Sequence, residues 1–132
     1  MTELQLQVQV ADYIRLQYPN VLFHSDFGSG IKLTKGQAMK QKRLQGGRRA
    51  WPDMFIAEPR TVKVGNDKHA YCGLFIELKK DKTRLYKKDG SYASEHILEQ
   101  DEMLNRLARN GYVAEFAIGF DMAKELIDWY LG

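Results

Sequence analysis

The sequence predicts a small α/β domain: a mixed central β-sheet flanked by helices. Two observations carry that reading. Several stretches place apolar residues at helical spacing, and short runs rich in Phe, Ile, Val and Leu lie between them with strand composition. The order interleaves the two kinds, as in a sheet covered by helices on its faces. The 132 residues suffice for one domain, 1–132, with one core, and the hydrophobic share of 44% and charged share of 28% are ordinary for a globular protein.

Taken in order, Leu4, Val8, Ala11, Ile14 and Leu16 predict a first helix from Glu3 to Gln17, stopped by Tyr18-Pro19-Asn20. Val21 to Phe23 is a short strand candidate, and His24 to Gly30 reads as a loop. Thr34 predicts a cap for a helix running to Leu44, which Gly46-Gly47 stops. Met54 to Ala57 is a strand. Glu58 to Tyr71, with Pro59, Gly65, Asn66 and Asp67, reads as an extended hairpin turn. The returning strand spans Tyr71 to Leu78, with Cys72 in the core. A helix opens at Ser94 and ends at Asn110-Gly111; Tyr112 to Ile118 forms another strand. Asp121 to Leu131 closes the chain as an amphipathic helix with Met122, Leu126, Ile127 and Tyr130 inward.

Charge is unevenly placed. The net charge is +3, yet no acidic residue occurs between Phe27 and Ala50, where Lys32, Lys35, Lys40, Lys42, Arg43, Arg48 and Arg49 cluster. A second basic run, Lys79, Lys80, Lys82, Arg84, Lys87 and Lys88, follows Glu77, and the tail from Glu95 is net acidic. Such asymmetry predicts a polyanion-binding face, with Lys35, Lys40, Lys42, Arg43, Arg48, Arg49, Lys80 and Lys82 as candidate phosphate contacts; the alternative is a pair of solvated loops. Cys72 is the single cysteine, which excludes an intrachain disulfide and a thiolate metal cluster. No apolar run is long enough to cross a bilayer and no signal peptide is visible, so an intracellular, cytoplasmic protein without membrane contact is expected.

The chemistry concentrates in Gly73-Leu74-Phe75-Ile76-Glu77-Leu78-Lys79-Lys80, where charges end the most apolar run of the chain. Residues two apart on a strand share a face, so Glu77 and Lys79 point the same way. Antiparallel pairing with the strand that begins Trp51-Pro52-Asp53 would bring Asp53 beside Glu77. Two carboxylates and one lysine then converge at one sheet edge. The carboxylates repel, and a hard divalent cation such as Mg²⁺ removes the conflict. Lys79 would hold an attacking water or stabilise charge in a phosphoryl transition state. A surface Glu77–Lys79 pair, worth about 0–1 kcal/mol, is the plain alternative.

Pro52-Asp53 with Glu77-Leu78-Lys79 resembles the PD-(D/E)xK nuclease signature, and the surrounding phrases resemble its VRR-NUC branch. These phrases are Glu3 in the first helix, Tyr18 to His24, the basic helix running through Gln45-Gly46-Gly47 into Pro52-Asp53, Gly73 to Lys79, Glu99-Gln100 with Leu104, Leu107 and Gly111-Tyr112, and Gly119 to Ile127. The resemblance covers essentially the whole chain. It implies a restriction-endonuclease-like core and a Mg²⁺-dependent DNA endonuclease in which Mn²⁺ also supports activity. It implies Asp53, Glu77 and the Leu78 carbonyl as metal ligands, and Lys79 as the residue that positions water. It also implies Gln100 in support of the site, where the alternative is a helix-surface glutamine. Glu3 would reach the metal directly or through water, where the alternative is a charge favoured by a helix start. The implied substrate is branched DNA such as Holliday junctions or flaps, cut by a homodimer. A nuclease of linear or nicked ends, a non-catalytic DNA-binding module and a structural protein are the competing readings. His24 and Trp51 near the site, and Tyr86 and Tyr92 beside a basic loop, are weaker candidates for nucleic-acid contact.

Overall fold

The computed structural model describes residues 1–26 and 32–132. Its elements are α1 (Glu3–Gln17), β1 (Phe23–Ser25), α2 (Lys35–Leu44), β2 (Met54–Ile56), β3 (Arg60–Val64), β4 (Asp67–Tyr71), β5 (Leu74–Lys79), α3 (Glu95–Arg109), β6 (Val113–Ile118) and α4 (Gly119–Leu131). The main sheet has the order β1-β2-β5-β6, with β1/β2 and β2/β5 antiparallel and β5/β6 parallel. The parallel pair is joined through α3, as a crossover between parallel strands requires.

Local chemistry sets the helix starts. Thr2 and Thr34 each close a capping box with a glutamine three residues on, Gln5 and Gln37. Ser94 Oγ accepts from the Ile97 amide at 3.2 Å. Strand β5 is buried at all six positions, and its alternate residues serve two cores. Leu74, Ile76 and Leu78 join the large core with Leu6, Val10 and Ile14 of α1 and Ile127 and Tyr130 of α4. Phe75 joins Met103 and Leu107 of α3 on the other face, its ring stacked on Phe55 at 4.4 Å between centroids. Gly73 opens the strand where a Cβ would lie 2.8 Å from the Ile56 carbonyl oxygen, so the close approach of β2 needs glycine.

Several sequence expectations change. The inward stripe of α1 is Leu6, Gln7, Val10 and Ile14, whereas Val8 is 53% exposed and Leu16 is exposed too. Both sets of residues have helical spacing. Packing against α4 chooses between them, through Asp128, which accepts from the Tyr13 and Tyr18 hydroxyls at 2.5 and 2.7 Å and from Lys124 Nζ at 2.9 Å. Met122 is exposed rather than inward, because its sulfur accepts the Ile118 amide at the start of α4. Cys72 is exposed, since it precedes β5 and bonds its amide to the Gly111 carbonyl instead of entering the core. His24 and Ser25 belong to β1, not to a loop; residues 27–30 of the expected loop lie outside the described residues. Glu58 to Tyr71 is more than a turn. It forms a second two-stranded sheet, β3-β4, anchored to α4 by Tyr130 Oη on the Glu58 carbonyl and Trp129 Nε1 on the Lys63 carbonyl. No helix among the described residues is long and apolar enough to cross a membrane.

Candidate active site

The β2/β5 register pairs Met54 with Ile76, which sets Asp53 at the start of β2 beside Glu77 near the end of β5. Asp53 Oδ2 accepts the Leu78 amide at 2.8 Å, so the carboxylate caps the strand edge that β2 leaves open. Glu77 and Lys79 lie on the α3 face, as strand alternation requires, and Lys79 Nζ stands 3.9 Å from Glu77 Oε1. Gln100, reaching down from α3, donates Nε2 to the same oxygen at 2.6 Å. All three are buried: Glu77 is 4%, Gln100 5% and Lys79 7% exposed. The readings of Glu77–Lys79 as a surface pair and of Gln100 as a surface glutamine therefore fail.

The electrostatics are unresolved in this arrangement. Burial, then the charge of Asp53, pushes the Glu77 carboxyl up to about 9. Burial also raises Asp53, against the lowering effect of the Leu78 amide. Glu3, in the first turn of α1, adds its negative charge to both. Glu77 Oε2 and Gln100 Oε1 are buried without a hydrogen-bond partner. A carboxylate pair with an unsatisfied oxygen suits a small hard cation, which commonly takes only one or two carboxylates from a protein. Among the described residues no three of His, Cys, Asp or Glu gather as a ligand set.

Two residues that sequence reasoning passed over hold Asp53 from behind. Gln7 Nε2 donates to Ser25 Oγ at 2.5 Å and also to the Asp26 carbonyl. Ser25 Oγ in turn donates to the Asp53 carbonyl at 2.8 Å, and the Asp26 amide donates to the same atom. Gln7 is buried and lies one turn from Glu3 on α1. The signal open to the sequence is a glutamine at helical spacing from Val10 and Ile14, on the stripe that packing turns inward.

A cleft of about 510 Å³ in front of Asp53 is lined by His24, Trp51 and Phe75 among others. Trp51 is partly exposed, its ring 6.2 Å from that of Phe75. Tyr86 and Tyr92 pair across a bridge at 5.4 Å, and the Tyr92 hydroxyl bonds Asp101, which ties the basic loop to α3. The candidate phosphate contacts do not form one surface. Helix α2 has no buried residue, and Lys35, Lys40, Lys42 and Arg43 are all exposed on it. Lys42, Arg48 and Arg49 face α3 across a cleft, whereas Lys80 and Lys82 line a separate hollow with Gln9 and Asp121.

No family model matches the sequence, and no curated protein matches it. Among solved structures, one described as a VRR_NUC domain protein aligns with a TM-score of 0.68 at 29% identity, covering 99% of this chain and 88% of its own. The likeness covers nearly the whole chain, and the mixed four-stranded sheet with its flanking helices is consistent with a VRR-NUC nuclease fold.

Proposed function

We propose that this protein is a metal-dependent endonuclease that hydrolyses phosphodiester bonds of DNA. The observation that carries the reading is the convergence of half-buried Asp53 with buried Glu77 and Lys79, with one Glu77 oxygen left without a partner. Asp53 and Glu77 would hold Mg²⁺ or Mn²⁺. The Leu78 carbonyl, on the strand edge whose amide reaches Asp53, and Glu3 are further oxygen donors. Such an ion supplies a Lewis acid and lowers the proton affinity of water.

The chain's own groups do the rest. Gln100 fixes the Glu77 carboxylate through Oε1 and leaves Oε2 free to ligate. The Leu78 amide orients Asp53 in the same way. Lys79 brings a cation to the edge where phosphate charge develops, and its own proton is available to a water or to a non-bridging oxygen. The basic α2 and the Arg48-Arg49 turn supply contacts to the phosphate backbone. Branched DNA as substrate and a homodimer as the acting form complete the proposal. Two copies about a twofold axis would present two sites to the two strands of a near-symmetric four-way junction.

The test is cleavage of a labelled four-way junction beside linear duplex, with Mg²⁺, Mn²⁺ or EDTA. Metal-dependent cutting of the junction that falls about 10²–10³-fold in Lys79→Ala, with DNA binding retained in EDTA, is expected. Cutting of both substrates would keep the nuclease and remove the junction preference. A folded wild type that binds DNA and cuts nothing with either metal would make the protein a binding module.

A further inference from the structure

We propose that the cleft between the Gly47–Arg49 turn and the C-terminal half of α3 is a second binding site for the DNA backbone, with Arg106 and Arg109 as phosphate contacts. The inference rests on the nucleic-acid reading above and extends it to a helix whose sequence reads as acidic. The cleft has a volume of about 600 Å³. One wall carries Lys42, Arg48 and Arg49; the other carries Arg106 and Arg109. Among the described residues none of these five cations is in an ion pair, although Glu99 and Glu102 also line the cleft.

A basic last turn is by itself ordinary, because cations favour a helix C-terminus. That effect accounts for Arg106 and Arg109 on α3. It does not account for a second cationic wall brought against them from a distant part of the chain. Like charges facing across a cleft repel, and an intervening polyanion turns the repulsion into attraction. Arginine suits the role, since its planar fork grips phosphate oxygens in pairs.

The placement relates the cleft to the candidate active site. Glu99, Glu102, Arg106 and Arg109 are spaced three, four and three residues apart, which is one stripe of α3. Gln100, one position from the head of that stripe, touches Glu77. By helical rise, Arg106 and Arg109 lie about 9 and 13 Å further along the axis than Gln100. The acidic head of the stripe repels the backbone and confines it to the arginine end.

The experiment is DNA binding by fluorescence anisotropy in EDTA across a salt series, so that cleavage plays no part. The Arg106→Ala/Arg109→Ala double variant should bind duplex at least tenfold more weakly at low salt. Its slope of log affinity against log salt should be shallower by about 1.8, since each phosphate contact contributes about 0.9. Lys63→Ala/Lys68→Ala on the β3-β4 hairpin removes the same charge away from the cleft and should leave the slope unchanged. Glu99→Gln/Glu102→Gln should tighten binding, a gain that misfolding does not produce. An unchanged slope in the arginine variant, or an equal loss in the hairpin control, overturns the proposal. A wild type that cuts nothing, yet loses slope only in the arginine variant, removes the nuclease reading and keeps the cleft.

Discussion

Asp128 and Glu77 are both acids packed against other elements, and the protein treats them oppositely. Asp128 receives three donors, from Tyr13, Tyr18 and Lys124. Burial works to raise its carboxyl, but those donors outweigh it and hold it below the usual carboxylate range. Glu77 receives one hydrogen bond, from Gln100, has a lysine at 3.9 Å, and keeps one oxygen with no partner. Its carboxyl is pushed far up by burial and by Asp53. A carboxylate that only ties helices together is satisfied by its neighbours. One left short of donors beside a second acid is the arrangement on which the proposed metal site rests.

Replacing Glu77 breaks this contrast most severely. Glu77→Gln should lower metal-dependent cleavage about 10³-fold, by loss of a ligand. It should also change the pH dependence of stability in EDTA. The folded-state value of Glu77 lies above its ordinary 4.5, so its stabilising effect is complete below pH 4.5 and is lost as pH rises towards 9. The melting temperature of wild type should therefore decline across that window, and the variant should decline less. Asp128 has the reverse sign: its contribution is present above its ordinary 3.8 and is lost as pH falls through its lower folded value. Thermal melts at a series of pH values read both limbs, and matching slopes in wild type and Glu77→Gln would rule out the neutral Glu77.

A smaller effect is expected behind the site. Gln7→Leu removes the donor to Ser25 and to the Asp26 carbonyl while keeping most of the side-chain volume. Gln7 acts on Asp53 only through Ser25 and the main chain, so metal affinity, read by calorimetry with Mn²⁺, should weaken by less than the roughly 10–100-fold that follows loss of a bond made directly to a ligand. Unchanged affinity would leave Gln7 as packing alone. The smallest effect belongs to the satisfied acid. Tyr18→Phe deletes one of three donors to Asp128 and should cost about 0.5–1.5 kcal/mol in denaturant unfolding, with cleavage at the wild-type rate.

Much of this was readable from residues alone. The Pro52-Asp53 and Glu77-Leu78-Lys79 phrases predict the meeting of Asp53 with Glu77 because strand alternation and antiparallel pairing are local rules, and the β2/β5 register obeys them. The capped starts of α2 and α3 were legible for the same reason. Gln7 and Ser25 were not, since their role depends on the rotation of α1 about its axis, which is decided by packing against α4 more than by the spacing of apolar residues. Arg106 and Arg109 were hidden by averaging: the net charge of the tail is acidic, whereas the cleft sees one stripe of one helix.

The β3-β4 hairpin leaves the main sheet after Ile56 and returns before Leu74, with its own ladder and its own anchors on α4. The alignment of Asp53 with Glu77 is set by three β2/β5 pairs that the hairpin does not share. Its exposed tip at Gly65-Asn66 is thus a place to splice in a fluorophore tag or an affinity peptide. A reporter grafted there would travel with the protein through cleavage and binding assays while the spacing of the two acids stays as it is.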